Sequence, residues 1–85
     1  MRLTIYSKPG CHLCDDMKRL VHRVIAGRAG DGDISIDEID ISNDRDLLER
    51  YGVEIPVLLI DGKKVAKYRV SETGLTQMLE ARRGS

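Results

Sequence analysis

The feature that most constrains this chain is the segment over residues 11–14, which reads Cys-His-Leu-Cys and holds the only two cysteines of the 85 residues. Residues 3–6, just before it, are apolar and rich in β-branched and aromatic side chains, so they predict a buried strand. From Leu13 onward, apolar residues recur at intervals of three and four, which predicts an amphipathic helix that ends by Gly27. The two cysteines therefore lie at the start of a helix that follows a strand.

The rest of the chain continues to alternate between strands and helices. The remaining predicted elements are a glycine-rich loop over 27–33, a strand over 34–40, a short helix over 44–50, hairpin strands over 57–60 and 64–68, and a last helix capped by Ser71. Asp61-Gly62 supplies the positive φ angles that a two-residue hairpin turn requires. Ser42 or Asn43 is expected to cap the second helix, with Gly52 at its C-terminal turn. The order βαβαββα predicts an α/β fold with one parallel βαβ unit and added antiparallel strands.

Charge and hydropathy narrow the classes of function. The chain has 14 basic and 14 acidic residues, so no long-range field attracts nucleic acid or an anionic membrane. No apolar stretch approaches the roughly 20 residues of a membrane span, and the N-terminus does not resemble a signal peptide. We therefore expect a single small domain over residues 1–85, located in the cytoplasm, with neither a nucleic-acid nor a membrane partner. In a reducing cytosol, two cysteines more often serve catalysis or metal binding than a structural disulfide.

The spacing of the two cysteines suits thiol–disulfide exchange. Cys11 is expected at the helix N-terminus, where unpaired N–H groups and the positive end of the helix dipole stabilise a thiolate. Lys8 lies close by in sequence, and His12 adds positive charge when it is protonated. Cys14, one turn into the helix, is expected to be more buried. We interpret Cys11 as the nucleophile that forms a mixed disulfide and Cys14 as the thiol that resolves it.

Other interpretations stay open at this point. The cysteines can be unrelated, with one of them simply packing in the core, and Lys8 and His12 can be ordinary solvated residues. A structural zinc site needs four Cys or His ligands, and since only His12 and His22 remain, zinc would require a dimer. Pro56 opens the predicted third strand, where a trans proline is the usual case.

Two stretches of the chain resemble a known family. Residues 4–14, Thr-Ile-Tyr-Ser-Lys-Pro-Gly-Cys-His-Leu-Cys, resemble the opening of the glutaredoxins. Residues 51–62, Tyr-Gly-Val-Glu-Ile-Pro-Val-Leu-Leu-Ile-Asp-Gly, are similar to the cis-proline segment shared by glutaredoxins and thioredoxins. The resemblance points to the small glutaredoxin-like proteins with a Cys-His-Leu-Cys type of site. It implies a thioredoxin-like fold of the minimal glutaredoxin type: a four-stranded mixed sheet in the order 2-1-3-4 with helices on both faces.

The resemblance also implies roles for individual residues. It implies that Cys11 and Cys14 form a redox-active disulfide, and that Pro56 is cis and lies against them. The backbone of Ile55 would pair with a bound peptide or glutathione. Lys8 matches by position the lysine that binds the glycine carboxylate of glutathione, and His12 belongs to the same expected substrate-binding set.

The resemblance implies partners as well. The expected activity is that of a disulfide oxidoreductase, acting on a disulfide-containing protein or a glutathionylated substrate as a monomer. The expected reductant is glutathione or a thioredoxin-reductase-type protein, with no permanently bound cofactor and no metal. The alternative function is an iron–sulfur cluster or metal carrier, because some glutaredoxins hold a cluster between two protomers through the first cysteine and glutathione.

The chain departs from the family where substrate is bound. The usual glutaredoxin site has Pro-Tyr between the cysteines, and here the pair is His12-Leu13. The Gly-Gly that follows the fourth strand in glutaredoxins and holds the γ-glutamyl end of glutathione is absent, since residues 70–74 read Val-Ser-Glu-Thr-Gly. The tryptophan that precedes the first cysteine of thioredoxins is also missing. The fold and the thiol chemistry therefore carry over from the family, and the substrate does not.

Overall fold

The computed structural model describes residues 1–28 and 34–83, with side chains as far as Arg82. Its elements are β1 (Arg2–Ser7), α1 (His12–Ala26), β2 (Ser35–Asp40), α2 (Arg45–Tyr51), β3 (Val57–Ile60), β4 (Lys63–Lys67) and α3 (Glu72–Arg83). This succession confirms the predicted order βαβαββα. Residues 29–33 of the predicted glycine-rich loop lie outside the described residues. No helix in the described part is both long and apolar enough to cross a membrane.

The four strands form one mixed sheet in the order β2-β1-β3-β4. β1 and β2 run parallel and are connected through α1, whereas β3 pairs antiparallel with both β1 and β4. The arrangement confirms the fold predicted from the resemblance, including the strand order. The two central strands, β1 and β3, run antiparallel. The residues that follow β1 therefore lie at the same end of the sheet as the residues that precede β3.

Alternation along β1 distributes its side chains between two layers of helices. Leu3 and Ile5 are fully buried in the main core, together with Met17, Val21, Val24, Leu58, Ile60, Leu75 and Leu79. These residues come from β1, β3, α1 and α3, so α1 and α3 cover one face of the sheet. Tyr6 points to the other face, where its ring lies 4.9 Å from the ring of Tyr51 in α2. Helices therefore cover both faces, as predicted.

The hairpin between β3 and β4 has the predicted turn. Asp61 and Gly62 have φ angles of 50° and 85°, the left-handed values that this turn requires at both positions. Asp61 also ties the turn to the start of β1: its N–H donates to the carbonyl of Arg2, and its carboxylate accepts from the N–H of Arg2, both at 2.8 Å. The hairpin thus has fixed register against the central strand.

The prediction that Ser42 or Asn43 caps α2 is wrong. The helix begins at Arg45, so the residue in the capping position is Asp44. The Asp44 carboxylate accepts from the N–H of Leu47 at 3.1 Å. Ser42 is engaged elsewhere: its hydroxyl and its N–H both donate to the Asp40 carboxylate, at 2.6 and 2.9 Å. These two hydrogen bonds lower the pKa of Asp40. Ser71 caps α3 as predicted, accepting from the N–H of Gly74 at 2.9 Å.

The position that follows α2 requires glycine because a Cβ would not fit there, and not because the backbone is left-handed. Its φ angle is −56°, and a Cβ added there would overlap the carbonyl oxygen of Leu48, which accepts the Gly52 N–H. We expect Gly52→Ala to lower the free energy of unfolding by about 1–3 kcal/mol, the usual cost of overpacking. Urea denaturation of the variant measures this loss.

Gly27, at the end of α1, is the matched control. Its φ angle is −72°, and an added Cβ would meet only backbone oxygens at 3.5 and 3.8 Å, which is ordinary contact. Gly27→Ala is therefore expected to leave stability unchanged or slightly raised. Equal losses in the two variants would contradict the steric explanation for Gly52.

Candidate active site

The cysteine segment and the proline segment lie at the same edge of the sheet. Tyr6 is opposite Val57 in the antiparallel pairing of β1 with β3, so the end of β1 lies beside the start of β3. After β1 the chain turns into α1 through Gly10, whose φ angle of 80° a residue with a side chain rarely adopts. Pro56 immediately precedes β3. Two stretches that are distant in sequence are thus brought together by strand register.

The two cysteines form a disulfide within the first turn of α1, with their Cα atoms 5.2 Å apart. Cys11 is the N-cap residue: its backbone is extended, and its carbonyl accepts the N–H of Asp15 at 3.1 Å. Cys14 is fully buried, with 0% exposure, whereas Cys11 is partly exposed. Solvent and substrate therefore reach the pair through Cys11. The predicted difference in burial between the two sulfurs is present.

The N–H of Cys14 donates to the Sγ of Cys11 at 3.1 Å, so the sulfur occupies the position that a serine or aspartate oxygen usually takes at an N-cap. After reduction, the same N–H and the positive end of the helix dipole favour negative charge on Cys11. Acidic residues oppose this effect, because Asp15 lies in the first turn. The N–H donor therefore contacts the sulfur directly, whereas the opposing carboxylate is in the same helical turn.

Lys8 and His12 flank Cys11 on the chain but make no ion pair within the described residues. Lys8 is half-buried on the β1–α1 connection, and His12, the first residue of α1, is exposed. The His12 side chain is therefore accessible from solvent, and that of Lys8 is accessible in part. Both residues lie at the end of the sheet where the cysteine segment and the proline segment meet.

The Ile55-Pro56 peptide bond is cis, as the resemblance implies. The Pro56 side chain is fully buried, and its carbonyl accepts the N–H of Tyr68 at 2.8 Å. No turn or loop hydrogen bond among the described residues uses the N–H or the C=O of Ile55. The backbone groups just before the proline, at the end of the sheet where α1 begins, are consequently open to a further hydrogen-bond partner.

Two residues that sequence analysis missed hold this proline segment. Tyr68, with a φ angle of 66°, donates its hydroxyl to the carbonyl of Val53 at 3.1 Å as well as its N–H to Pro56. The Glu54 carboxylate accepts from Lys64 at 3.1 Å and is 3.4 Å from Lys67. These contacts depend on the register of β4 against β3, and no sequence motif signals them.

The comparisons with known proteins agree with this geometry. The family model described as Glutaredoxin-like domain (DUF836) matches residues 2–80. The chain belongs to this glutaredoxin-like family. A glutaredoxin-like protein of Dictyostelium discoideum, described as a YDR286C homolog, is 28% identical over 82 residues, which are 94% of this chain and 76% of that protein.

Solved structures share the fold of this glutaredoxin-like chain. The X-ray structure of the protein XcR50 from X. campestris has a TM-score of 0.73 at 28% identity, over 93% of this chain and 96% of that one. Thioredoxin 1 from Thermosipho africanus has a TM-score of 0.60 over 96% of this chain and 98% of its own, and at 14% identity it shows the fold alone. Family membership together with the paired cysteines indicates redox activity.

The contribution of the Glu54 carboxylate to the stability of the fold depends on pH. Hydrogen bonds from Lys64 and Lys67 hold the pKa of Glu54 below its ordinary value of 4.5. A lowered pKa in the folded state means that ionised Glu54 stabilises the fold above 4.5, and that this stabilisation is lost as pH falls through the folded-state pKa. We expect Glu54→Gln to be less stable than the unmodified protein at neutral pH, and the two to converge in acid. Urea denaturation across a pH series measures the difference.

Glu49→Gln on α2 is the control for this prediction. Glu49 is exposed and makes no ion pair within the described part of the chain, so its substitution should shift stability little at any pH. A Glu54→Gln deficit that stays constant from neutral to acid pH would contradict the assigned role of the carboxylate.

Proposed function

We propose that this protein is a thiol–disulfide oxidoreductase in which Cys11 attacks a disulfide or a glutathione mixed disulfide and Cys14 resolves the product. The observation that carries the proposal is the asymmetry of the pair. Cys11 is partly exposed at the helix N-cap and accepts the Cys14 N–H, whereas Cys14 is wholly buried beside it. One sulfur is thus accessible and favoured as a thiolate, and the other reaches only its neighbour.

The proposed reaction moves two electrons in two exchanges. The Cys11 thiolate attacks one sulfur of the target disulfide, the target S–S bond breaks, and the departing thiolate takes a proton from water. Cys14 then loses its proton and attacks the Sγ of Cys11. The second target thiolate leaves, so the target is reduced to two thiols and the pair is oxidised to the disulfide that the structure holds.

The residues at the same edge of the sheet supply binding in this proposal. The free N–H and C=O of Ile55 pair with the backbone of an extended substrate, and the buried Pro56 fixes their direction. Lys8 offers a positive charge to a substrate carboxylate, and His12 contacts the substrate from the exposed first turn of α1. Backbone pairing accepts many sequences, which suits an enzyme acting on disulfide-bearing segments.

The disulfide product must be reduced again for turnover. We propose glutathione or a thioredoxin-reductase-type protein as the reductant and the cytoplasm as the compartment, where such reductants keep thiols reduced. Reduction by glutathione consumes two thiols: the first opens the Cys11–Cys14 bond as a mixed disulfide on Cys11, and the second releases glutathione disulfide. The protein acts as a monomer in this scheme, because both sulfurs belong to one chain.

Single-cysteine variants separate the two roles. With Cys14→Ser, reaction with glutathione disulfide should stop at a single mixed disulfide on Cys11, because no thiol remains to resolve it. With Cys11→Ser, the buried Cys14 should remain unmodified over the same time. Intact mass after acid quenching measures both products, and equal modification of the two variants would contradict the assignment.

Equilibration in a series of reduced and oxidised glutathione buffers tests the proposal as a whole. A reversible Cys11–Cys14 disulfide, read by alkylation and intact mass, is the expected result. Two thiols that neither pair nor form glutathione adducts at any ratio would refute the oxidoreductase. Visible absorbance after anaerobic reconstitution with iron and sulfide would then favour the cluster carrier.

A further inference from the structure

A groove runs along one face of α1. It is a cavity of about 360 Å³ between one face of α1, from Leu13 to Arg23, and the connection formed by Tyr68, Arg69 and Val70. We call it the α1 groove. Leu13, which lies between the two cysteines in sequence, lines the end of the groove near the start of α1. Its apolar walls include Leu20 in addition to these residues.

Positive charge is concentrated along the α1 groove. Arg19, Arg23 and Arg69 line it, and Asp16 is its only acidic lining residue. Asp16 pairs with Arg19, and Arg23 pairs at 3.1 Å with Glu72, whereas Arg69 has no ion pair among the described residues. Arginines therefore outnumber the carboxylates that neutralise them, in a chain whose formal net charge is zero. An occupant with negative charge fits this lining best.

Exposed apolar side chains lie where the α1 groove meets the proline segment. Val53 is 88% exposed and Tyr68 is 43% exposed, and the Tyr68 hydroxyl donates to the Val53 carbonyl at 3.1 Å. Only one other large apolar residue in the described part of the chain, Ile39, is comparably exposed. Aromatic residues at such positions are typical anchors of protein interfaces. Tyr68 connects the two regions, because it lines the groove and donates its N–H to the carbonyl of Pro56 at 2.8 Å.

The length of the α1 groove matches a protein segment better than it matches glutathione. From Leu13 to Arg23 the helix rises about 15 Å, at 1.5 Å per residue. A fully extended tripeptide spans only about 10 Å. A polypeptide segment longer than a tripeptide is therefore needed to line the groove over its whole length.

The start of α3 also disfavours a small anionic ligand. The Gly74 N–H donates to Ser71 at 2.9 Å, so a donor of the first turn is already occupied by the chain itself. Glu72 adds a carboxylate in the same turn. One N–H donor at this helix start is thus used by the chain itself, and the neighbouring carboxylate repels an anion.

We propose that the α1 groove binds an acidic, partly apolar segment of the protein whose disulfide Cys11 attacks. This proposal rests on the oxidoreductase function proposed above and adds the class of substrate. Leu13, Leu20 and Val70 contact apolar side chains of the segment, and Arg69 pairs with a carboxylate. The charges raise the rate of encounter, and the exchange itself remains the work of Cys11 and Cys14.

The test compares reduction of three disulfide-linked peptides that share length and apolar residues and differ in charge: one acidic, one uncharged and one basic. The reduced protein should react fastest with the acidic peptide, by about threefold to tenfold over the basic one. Arg69→Glu should remove or reverse that order. Arg45→Glu, the same charge reversal at an exposed residue of α2, should preserve it. The advantage of the acidic peptide should also shrink as salt is raised to about 1 M.

The outcomes separate the two proposals. Equal rates with all three peptides, or an order that Arg69→Glu leaves intact, would overturn acidic-segment binding and leave the oxidoreductase standing. No reaction with any peptide would overturn both. Glutathione disulfide serves as a further substrate: if Arg69→Glu slows it as much as the acidic peptide, the occupant is glutathione and the proposed protein segment is wrong.

Discussion

The hydrogen bond from the Cys14 N–H to the Cys11 sulfur is the interaction on which the site depends. It makes Cys11 the N-cap of α1, which fixes where the helix begins and places the second sulfur one turn inside. The two sulfurs are then close enough to bond, and the burial of Cys14 by the core decides which of them meets a substrate. Local helix chemistry and redox asymmetry are here the same feature, since a donor that caps the helix also favours a thiolate.

Strand register supplies the second half of the site. Pairing of β1 with β3 brings Pro56 to the edge where α1 begins, and the β3–β4 hairpin then provides the contacts that hold the proline segment. Tyr68 bonds to it through both its backbone and its hydroxyl, and Glu54 anchors it to lysines of β4. With these contacts made elsewhere, the backbone of Ile55 has no turn or loop hydrogen bond to any other described residue. The N–H and C=O of Ile55 are open to a further partner because the neighbouring residues make their hydrogen bonds with the β3–β4 hairpin and Tyr68.

Features governed by short-range rules could be predicted from the sequence. The Asp61-Gly62 turn, the cap at Ser71 and the position of Cys11 each depend on residues a few positions apart, and each is confirmed. The predicted cap of α2 is wrong because neighbouring polar residues compete for one position, and the helix start decides among them. Glu54, Tyr68 and the α1 groove depend on tertiary register, which periodicity does not specify. The cis bond at Pro56 is predicted by the family resemblance, because the local sequence alone favours an ordinary trans proline.

Selectivity in such a site has to come from outside the reacting atoms. In the proposed function, backbone pairing at Ile55 is nearly independent of the substrate sequence, and thiol exchange at Cys11 requires only an accessible disulfide. A net charge of zero gives no long-range preference either. What remains is the local distribution of side chains: arginines along α1 and at Arg69 on one side, and the exposed Val53 and Tyr68 on the other. In the proposed function these side chains determine which disulfide is chosen, and the exchange itself takes place at Cys11 and Cys14.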